Sequence, residues 1–201
     1  MPPARSSVSS EAYPRLVALD LDYTLWDLWI DTHVTGPLRR HENTVNQVLD
    51  KYGEQISFYK DVPDILHGIR SRSLRVNDDE EDRKVVIAAC SRTHAPDLAN
   101  QCLRLLLVPP SVDAEQSIHK PTAAIEFFDE LEIYPGSKIK HFKALHQRTG
   151  IPYSEMVFFD DEQRNSEVGK LGVTFQHVPR GLTRQIFDHG LKEWRRRQSS
   201  E

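Results

Sequence analysis

The amino-acid sequence predicts an α/β fold in which helices cover both faces of a doubly wound parallel sheet. The main observations are three apolar runs, at residues 16–19, 85–90 and 156–160. Each run is short and uninterrupted, as expected of parallel strands that are buried on both faces. Segments with helical periodicity separate the runs, and alternating strands and helices are typical of this class of fold.

The length and composition are consistent with one domain. The chain has 201 residues, 38% of them apolar, which is low for a compact domain. We expect the domain to span residues 15–195, between a flexible tail at 1–14 and a C-terminal tail at 196–201. Polar surface loops at 77–84 and 108–122 would account for the low apolar content.

Charge and hydropathy exclude several classes of partner. The net charge of −4 gives no basic footprint, which argues against a dedicated nucleic-acid binder. No apolar run approaches the length of a membrane span, and the N-terminus lacks the hydrophobic core of a secretory signal. We therefore expect no membrane partner and a cytoplasmic location, with the nucleus as a further possibility. The two cysteines, Cys90 and Cys102, lie in apolar surroundings and are expected to be reduced core thiols.

Two acidic residues follow the first predicted strand. Asp20 and Asp22 stand one residue apart, with Thr24 two positions further on. Carboxylates at the end of a buried strand are costly unless they are paired or hold a metal. Ligands of open α/β sheets bind at this edge, and Mg²⁺ prefers a few oxygen ligands there. Taken alone, the pattern fits equally well a pair of aspartates that cap a loop or a helix.

The region between the first two strands is predicted to contain a loop and two helices. Trp26 and Trp29 lie in the loop, where such rings either wall a substrate pocket or anchor the loop to the core. Of the two, we expect Trp29 to line the pocket. Helical spacing predicts a short helix over 43–52 and a second one that begins near Val62 or Pro63. The charged cluster at 75–84 is expected to be a solvated loop.

A hydroxyl residue ends the second predicted strand. Ser91 and Arg92 follow that strand, and Pro96 begins the next helix. In this position a serine either caps the helix or presents its hydroxyl and amide to an anion. Since the first strand ends in residues suited to a metal, the second interpretation is favoured.

A lysine begins the helix predicted over residues 137–149. Lys138 lies in the first turn of this helix, which ends at Gly150. A cation there opposes the helix dipole, so Lys138 contributes little to helix stability. Such a local conflict is expected where a ligand requires the charge.

The third predicted strand also ends in acidic residues. Asp160 is its last residue and Asp161 follows it. A fourth strand is predicted over 173–178, and a helix from about 182 to 194 closes the domain. Right-handed crossovers bring the carboxyl ends of parallel strands to one edge of the sheet. The polar residues after these strands should therefore meet.

These elements resemble the haloacid dehalogenase superfamily of aspartate-based phosphatases. Asp20–Thr24 resembles its first motif, Ser91 its second, Lys138 its third and Asp160–Asp161 its fourth. The segments DLDYTLWDLWIDTHV, CSRT, EIYPGSKIKHF and GIPYSEMVFFDDEQRN are more closely similar to the eukaryotic magnesium-dependent phosphatase family. The resemblance extends from about residue 15 to residue 180.

The resemblance implies a catalytic role for several of these residues. Asp20 would be the nucleophile, and Asp22 the general acid and base. Mg²⁺ would bind the carboxylates of Asp20 and Asp161 and the backbone carbonyl of Asp22. Asp160 would orient Lys138 or the water molecules on the metal.

The resemblance also implies a phosphate-binding set. This set consists of the side chains of Ser91 and Lys138 and the backbone amides of Leu21 and Arg92. Trp29, placed at the pocket by its position in the loop, completes the predicted substrate-binding residues.

The implied function is a Mg²⁺-dependent phosphomonoester hydrolase that forms an aspartyl-phosphate. Phosphotyrosine or a phosphorylated sugar group on protein would be the substrate, and the site would carry little or no cap. We expect a monomer. The alternatives are a small-metabolite phosphatase, a dehalogenase, or a non-catalytic module that binds phosphoproteins. The binding module is disfavoured because both aspartates are present, and the dehalogenase because its leaving group needs no acid such as Asp22.

Overall fold

A five-stranded parallel sheet forms the centre of the molecule. The computed structural model describes residues 12–74, 83–110 and 120–199. The strands are β1 (Leu16–Leu19), β2 (Val86–Ser91), β3 (Glu130–Ile133), β4 (Met156–Asp160) and β5 (Thr174–His177). They lie in the order β5-β4-β1-β2-β3, with every pair parallel. The predicted α/β class with a doubly wound parallel sheet is confirmed.

Both faces of the sheet are buried, which explains why its central strands are apolar throughout. Alternate residues of β1 point to opposite faces, as they do in any strand. Val17 and Leu19 pack with α2, α3 and α5, while Leu16 and Ala18 pack with α4 on the other face. The two free cysteines are buried in different clusters, Cys102 in the first and Cys90 in the second.

Most of the helices lie at the positions that the sequence predicted. They are α1 (Ile30–His33), α2 (Val62–Arg70), α3 (Pro96–Leu105), α4 (Lys138–Thr149) and α5 (Arg184–Gln198), with 3₁₀ helices at Ala124–Phe127, Tyr153–Glu155 and Gln163–Leu171. Ser137 caps α4 by accepting a hydrogen bond from the Lys140 amide. Gly150 ends α4 in the left-handed conformation that glycine adopts readily.

The helix predicted over 43–52 is wrong, because polar side chains bind the backbone of this region instead. Asn46 has a positive φ of 49°. Its side-chain amide donates to the carbonyl of Phe58 and accepts from the amide of the same residue. The buried Asp50 carboxylate accepts hydrogen bonds from the amides of Tyr52 and Glu54. Side-chain bonds of this kind compete with helix formation.

The short β-ladders and the edge strand β3 add to the predicted architecture. Two-residue ladders pair Val48–Leu49 with Gln55–Ile56, Ser73–Leu74 with Arg83–Lys84, and Leu107–Val108 with Thr122–Ala123. The last two ladders lie at the bases of the loops predicted at 77–84 and 108–122. Most of each loop lies outside the described residues. Strand β3 was not among the predicted strands.

Core packing at one end of the domain and helix α5 at the other extend further than expected. Tyr13 is only 8% exposed and packs in the core, although the flexible tail was predicted to extend to residue 14. Helix α5 continues to Gln198 instead of ending near residue 194, so the tail predicted at 196–201 starts too early. Arg195–Arg197 lie in its last turn, where cations favour the helix dipole.

Only small elements lie between β1 and α2, where a cap could be inserted. They are the single turn α1 and the Val48–Leu49 ladder with its partner strand. The expected minimal cap is therefore confirmed. Within the described ranges, no helix combines the length and the hydropathy that crossing a membrane requires.

Candidate active site

The sheet brings the predicted acidic residues together at one edge. The chain runs from β1 outward to β3 and then returns to β4 on the other side of β1. Ligands bind at the carboxyl end of such a switch point. Asp20 follows β1 and its amide donates to the Phe159 carbonyl at 2.9 Å, which places it beside Asp160 at the end of β4.

A cavity of about 270 Å³ opens at this edge. Most of the predicted site residues contribute to its lining: Asp20, Asp22, Trp29, Ser91, Arg92, Lys138 and Asp161. Two others lie behind the wall, because the side chains of Leu21 and Asp160 are fully buried. Leu21 can therefore serve the cavity only through its backbone, as the resemblance implies.

Lys138 is the central cation of the site. Its Nζ lies 2.6 Å from Asp20 Oδ1 and 3.0 Å from Asp160 Oδ2, and it also donates to the Cys90 carbonyl. An ammonium has three donors, so all three are used within the protein. Burial alone would lower the pKa of Lys138, but the carboxylates of Asp20 and Asp160 hold it above its usual range. Lys138 is therefore permanently charged.

Asp20 contacts this ammonium from an almost fully buried position, where burial raises its pKa well above the usual range. Its side chain is 9% exposed. Burial raises the pKa of Asp20, while the charge and the hydrogen bond of Lys138 act against that increase. The positive charge at the end of this 2.6 Å bond is what favours the ionised form of Asp20 against its burial.

Asp22 has a different environment from Asp20. Its Oδ1 accepts hydrogen bonds from Trp26 Nε1 at 2.7 Å and from the Ile30 amide at 3.2 Å. Burial raises the pKa of Asp22 to about 6, although both hydrogen bonds oppose the shift. A carboxyl group with this pKa is able to donate and accept a proton near neutral pH.

Asp161 lies at the acidic corner of the cavity. Burial and then the neighbouring charges of Asp160 and Glu162 raise the pKa of Asp161 to about 6. Its backbone amide donates to Thr24 Oγ1 at 3.1 Å, which links the loop after β4 to the loop after β1. Such an accumulation of carboxylates is favourable when a cation binds among them.

The residues at this corner fit Mg²⁺. In the part of the chain that the structure describes, no three His, Cys, Asp or Glu side chains group in a way that could hold a metal. A site here would instead use the carboxylates of Asp20 and Asp161, a backbone carbonyl such as that of Asp22, and water. Mg²⁺ is suited to such a set, because it accepts hard oxygen ligands and keeps several of its waters.

Ser91 and Arg92 form the opposite side of the cavity. Ser91 Oγ accepts a hydrogen bond from the Thr93 amide at 3.2 Å, so its hydroxyl proton remains to donate to a ligand. The Arg92 guanidinium donates to Asn165 Oδ1 at 3.1 Å. Asn165 in turn donates to both carboxylate oxygens of Asp160, at 2.8 and 2.9 Å. These contacts connect Arg92 to Lys138 through Asn165 and Asp160.

Trp29 lies at the mouth of the cavity with a 49% exposed side chain. It packs edge-on against Tyr23 at a centroid distance of 5.2 Å. Trp26, by contrast, is fully buried and stacks on Phe58. The structure therefore places Trp29 at the pocket and Trp26 in the core.

The sequence reasoning missed several residues around the cavity. The lining also includes Asp31, Thr32, Thr93, His94, Glu162, Arg164 and Asn165. Asp31 ties α1 to the loop after β2, because its carboxylate accepts from the His94 amide at 3.0 Å. His177 was also missed, and its Nε2 lies 2.7 Å from the Asp161 carbonyl. Its position at the end of the last predicted strand was the available signal.

Comparison with known proteins gives consistent results. A family model described as Acid Phosphatase matches residues 12–197. A HAD-like hydrolase superfamily protein of Schizosaccharomyces pombe is 48% identical over 168 residues, covering 84% of this chain and 87% of that protein. Magnesium-dependent phosphatase 1 of Homo sapiens is 39% identical over 187 residues, covering 92% and 90%.

A solved structure is also similar, at a lower level. It is the N-terminal part of the Bacteroides fragilis protein BF1531, which contains a phosphatase domain complexed with Mg. The TM-score is 0.47 and the identity 16%, and the match covers 90% of this chain but only 39% of the other.

Proposed function

The chain belongs to the acid phosphatase family, and we propose that it is a magnesium-dependent phosphatase that hydrolyses phosphomonoesters through a phosphorylated Asp20. The family agrees with the resemblance found in the motifs. The names of the relatives, one of them a magnesium-dependent phosphatase, support the choice of metal.

One observation carries the proposal: two carboxylates of one cavity have environments that suit opposite tasks. Asp20 is paired with the Lys138 ammonium at 2.6 Å, which favours an ionised nucleophile. Asp22 has a pKa raised to about 6, which suits proton transfer. Two carboxylates of one site that have different partners can take different roles in catalysis.

The first chemical step uses both aspartates. A carboxylate oxygen of Asp20 attacks the phosphorus atom, and the bond from phosphorus to the ester oxygen breaks. Asp22 gives its proton to the departing oxygen, so an alcohol leaves and Asp20 carries the phosphoryl group. Covalent catalysis of this kind replaces one difficult displacement with two easier ones.

The second step restores the enzyme. Asp22, now ionised, accepts a proton from a water molecule as that water attacks the phosphorus atom. The bond between phosphorus and Asp20 breaks, and inorganic phosphate leaves with Asp20 again a carboxylate. Proton transfer by a placed carboxyl group typically contributes about 10²–10⁴-fold to the rate.

Binding of the phosphoryl oxygens requires positive charge and donors around the cavity. When bound to Asp20, Asp161 and the Asp22 carbonyl, Mg²⁺ supplies charge that offsets the repulsion between Asp20 and the phosphate dianion. The Ser91 hydroxyl and the amides of Leu21 and Arg92 would hold the other oxygens. Lys138 would reach the phosphate by giving up one of its three protein acceptors.

The accessible mouth of the cavity is consistent with a substrate whose phosphate is attached to a larger carrier. We propose phosphotyrosine or a phosphorylated sugar on protein as the substrate class. Trp29, at the mouth, offers an aromatic surface to either group. A small-metabolite phosphatase and a phosphoprotein-binding module on the same fold are the alternatives.

Hydrolysis of a chromogenic aryl phosphate tests the proposal. Wild type is assayed with Mg²⁺ and with EDTA, beside Asp20→Asn with Mg²⁺. Turnover should occur only in wild type with Mg²⁺, and circular dichroism should show that the variant is folded. Metal-dependent turnover by Asp20→Asn would contradict the assignment of Asp20 as the nucleophile. A folded wild type without turnover on aryl, sugar or peptide phosphates would favour the binding module.

A further inference from the structure

Two side chains from neighbouring segments hold the backbone of Asp161. Thr24 Oγ1 accepts a hydrogen bond from the Asp161 amide at 3.1 Å. On the other side, His177 Nε2 lies 2.7 Å from the Asp161 carbonyl oxygen. A carbonyl oxygen only accepts hydrogen bonds, so His177 must carry its proton on Nε2 and donate it. The peptide groups on both sides of the Asp161 α-carbon are therefore fixed.

His177 occupies a suitable place in the sheet for this contact. It is the last residue of β5 and pairs with Asp160 in the register between β4 and β5. The next residue, Val178, donates its amide to the Asp160 carbonyl at 2.9 Å. The end of β5 thus holds both Asp160 and Asp161. Helix α5 also contacts this end of β5, because His189 Nδ1 lies 2.7 Å from Oε1 of Gln176, the residue before His177.

Asp161 needs such support because of the charges around it. Asp160 precedes it in the chain, Glu162 follows it, and both raise its pKa by repulsion. Repulsion would favour a loop conformation in which the Asp161 carboxylate turns away from the other acids. Hydrogen bonds to the backbone oppose this movement and leave the carboxylate oxygens free of these two partners.

We propose that His177 is a positioning residue for Asp161, whose carboxylate it keeps directed at the Mg²⁺ site through the Nε2–H bond to the Asp161 carbonyl. This inference rests on the proposed function, since that function assigns Asp161 to the metal. Groups that orient metal ligands in this way commonly change metal affinity about 10–100-fold when they are removed.

Three variants separate this role from a general effect on the fold. His177→Phe keeps an aromatic ring and removes the donor, while His177→Gln keeps an N–H donor at a similar reach. The matched control is His146→Phe. His146 is also half-buried and its Nδ1 lies 2.7 Å from the backbone carbonyl of Ile151. Ile151 does not line the cavity, whereas Asp161 does.

The measurement is the dissociation constant of Mg²⁺ for the substrate-free protein, obtained by isothermal titration calorimetry. We expect His177→Phe to bind Mg²⁺ about tenfold more weakly or worse. His177→Gln and His146→Phe should bind like wild type. Thermal unfolding without metal, recorded for each variant, shows how far the loss of affinity follows the loss of stability.

The outcomes distinguish this inference from the proposed function. Wild-type affinity in a folded His177→Phe, or equal weakening in His177→Gln and His146→Phe, would overturn the positioning role alone. A wild-type chain that binds no Mg²⁺ would overturn the proposed function together with this inference. If His177→Phe does not fold, ¹⁵N NMR of wild type decides: the Nε2–H tautomer supports the inference, and an unprotonated Nε2 overturns it.

Discussion

Lys138 Nζ lies 2.6 Å from Asp20 Oδ1 and joins the first turn of α4 to the loop after β1. The same ammonium contacts Asp160 at 3.0 Å, so a single buried cation compensates two buried carboxylates. We expect this arrangement to serve both stability and the proposed catalysis, because removing the cation takes away the ammonium that contacts both carboxylates.

The first prediction concerns this cation. Lys138→Met should lower the free energy of unfolding by about 3–5 kcal/mol, the usual cost of breaking a buried ion pair from one side. It should also abolish phosphatase turnover. Urea denaturation measures the first effect. Lys140→Met, an exposed change two residues away in the same helix, should stay within about 0.5 kcal/mol of wild type.

A second variant checks the cause of that loss. Adding Asp160→Asn to Lys138→Met removes one of the unpaired charges and should restore part of the stability. If the double variant is no more stable than Lys138→Met, or if Lys138→Met is as stable as wild type, charge compensation is not the role of Lys138.

The second prediction concerns Asp22 as the acid. In Asp22→Asn the departing oxygen receives no proton, so kcat/KM for an alkyl phosphate should fall about 10²–10⁴-fold. For a nitrophenyl phosphate, whose leaving group needs little protonation, the fall should be much smaller. Steady-state kinetics with both substrates measures the difference. Equal losses for the two would show that Asp22 is not the acid.

The third prediction concerns the aromatic residue at the cavity mouth. Trp29→Ala should lower kcat/KM for an aryl phosphate about two- to tenfold more than for a sugar phosphate if ring packing selects the substrate. Tyr52→Ala is the control, since Tyr52 is 74% exposed and does not line the cavity. Equal effects of Trp29→Ala on both substrates would argue against selection of a phosphotyrosine ring.

The fourth prediction concerns the stability of the protein in mild acid. His141 is buried next to the site, and its Nδ1 finds no hydrogen-bond partner among the described residues. Burial and then the charge of Lys138 lower the pKa of His141 from 6.5 to about 4. The unfolded chain therefore takes up this proton at a higher pH than the folded one does.

The sign of the pH effect follows from this difference. The contribution of neutral His141 to the free energy of unfolding is complete above pH 6.5 and is lost as the pH falls toward about 4. His141→Gln cannot be protonated and keeps a donor for the Tyr134 carbonyl. Relative to this variant, wild type should lose on the order of 2–3 kcal/mol over that range. Urea denaturation at several pH values measures this difference. If the free energies of unfolding of wild type and His141→Gln change with pH in the same way, the prediction is wrong.

The sequence was most informative at the ends of the sheet strands. Apolar runs predicted β1, β2, β4 and β5, and parallel strands bring their carboxyl ends to one edge. Asp20, Ser91 and Asp161 could therefore be placed together from their positions alone. Lys138 was recognisable because a cation in the first turn of a helix opposes the helix dipole.

Contacts between distant polar groups could not be predicted in this way. The segment at 43–52 has helical spacing, yet Asn46 and Asp50 bind the backbone of residues that the sequence alone does not bring near. In β3 the charged Glu132 interrupts the apolar pattern that would have indicated a strand. It can be buried there because Arg148 from α4 compensates its charge. His177 acquires a role only once β5 lies beside β4.

The central claim is that Asp20 carries the phosphoryl group during turnover. It is tested by quenching the enzyme with borohydride during hydrolysis of an aryl phosphate, because borohydride reduces an acyl phosphate to the alcohol. Peptide mass spectrometry should find homoserine at position 20 in wild type. More is expected in Asp22→Asn, whose second step is slowed, and none without substrate. Unmodified Asp20 in both proteins during rapid turnover, or reduction at another carboxylate, would contradict the mechanism.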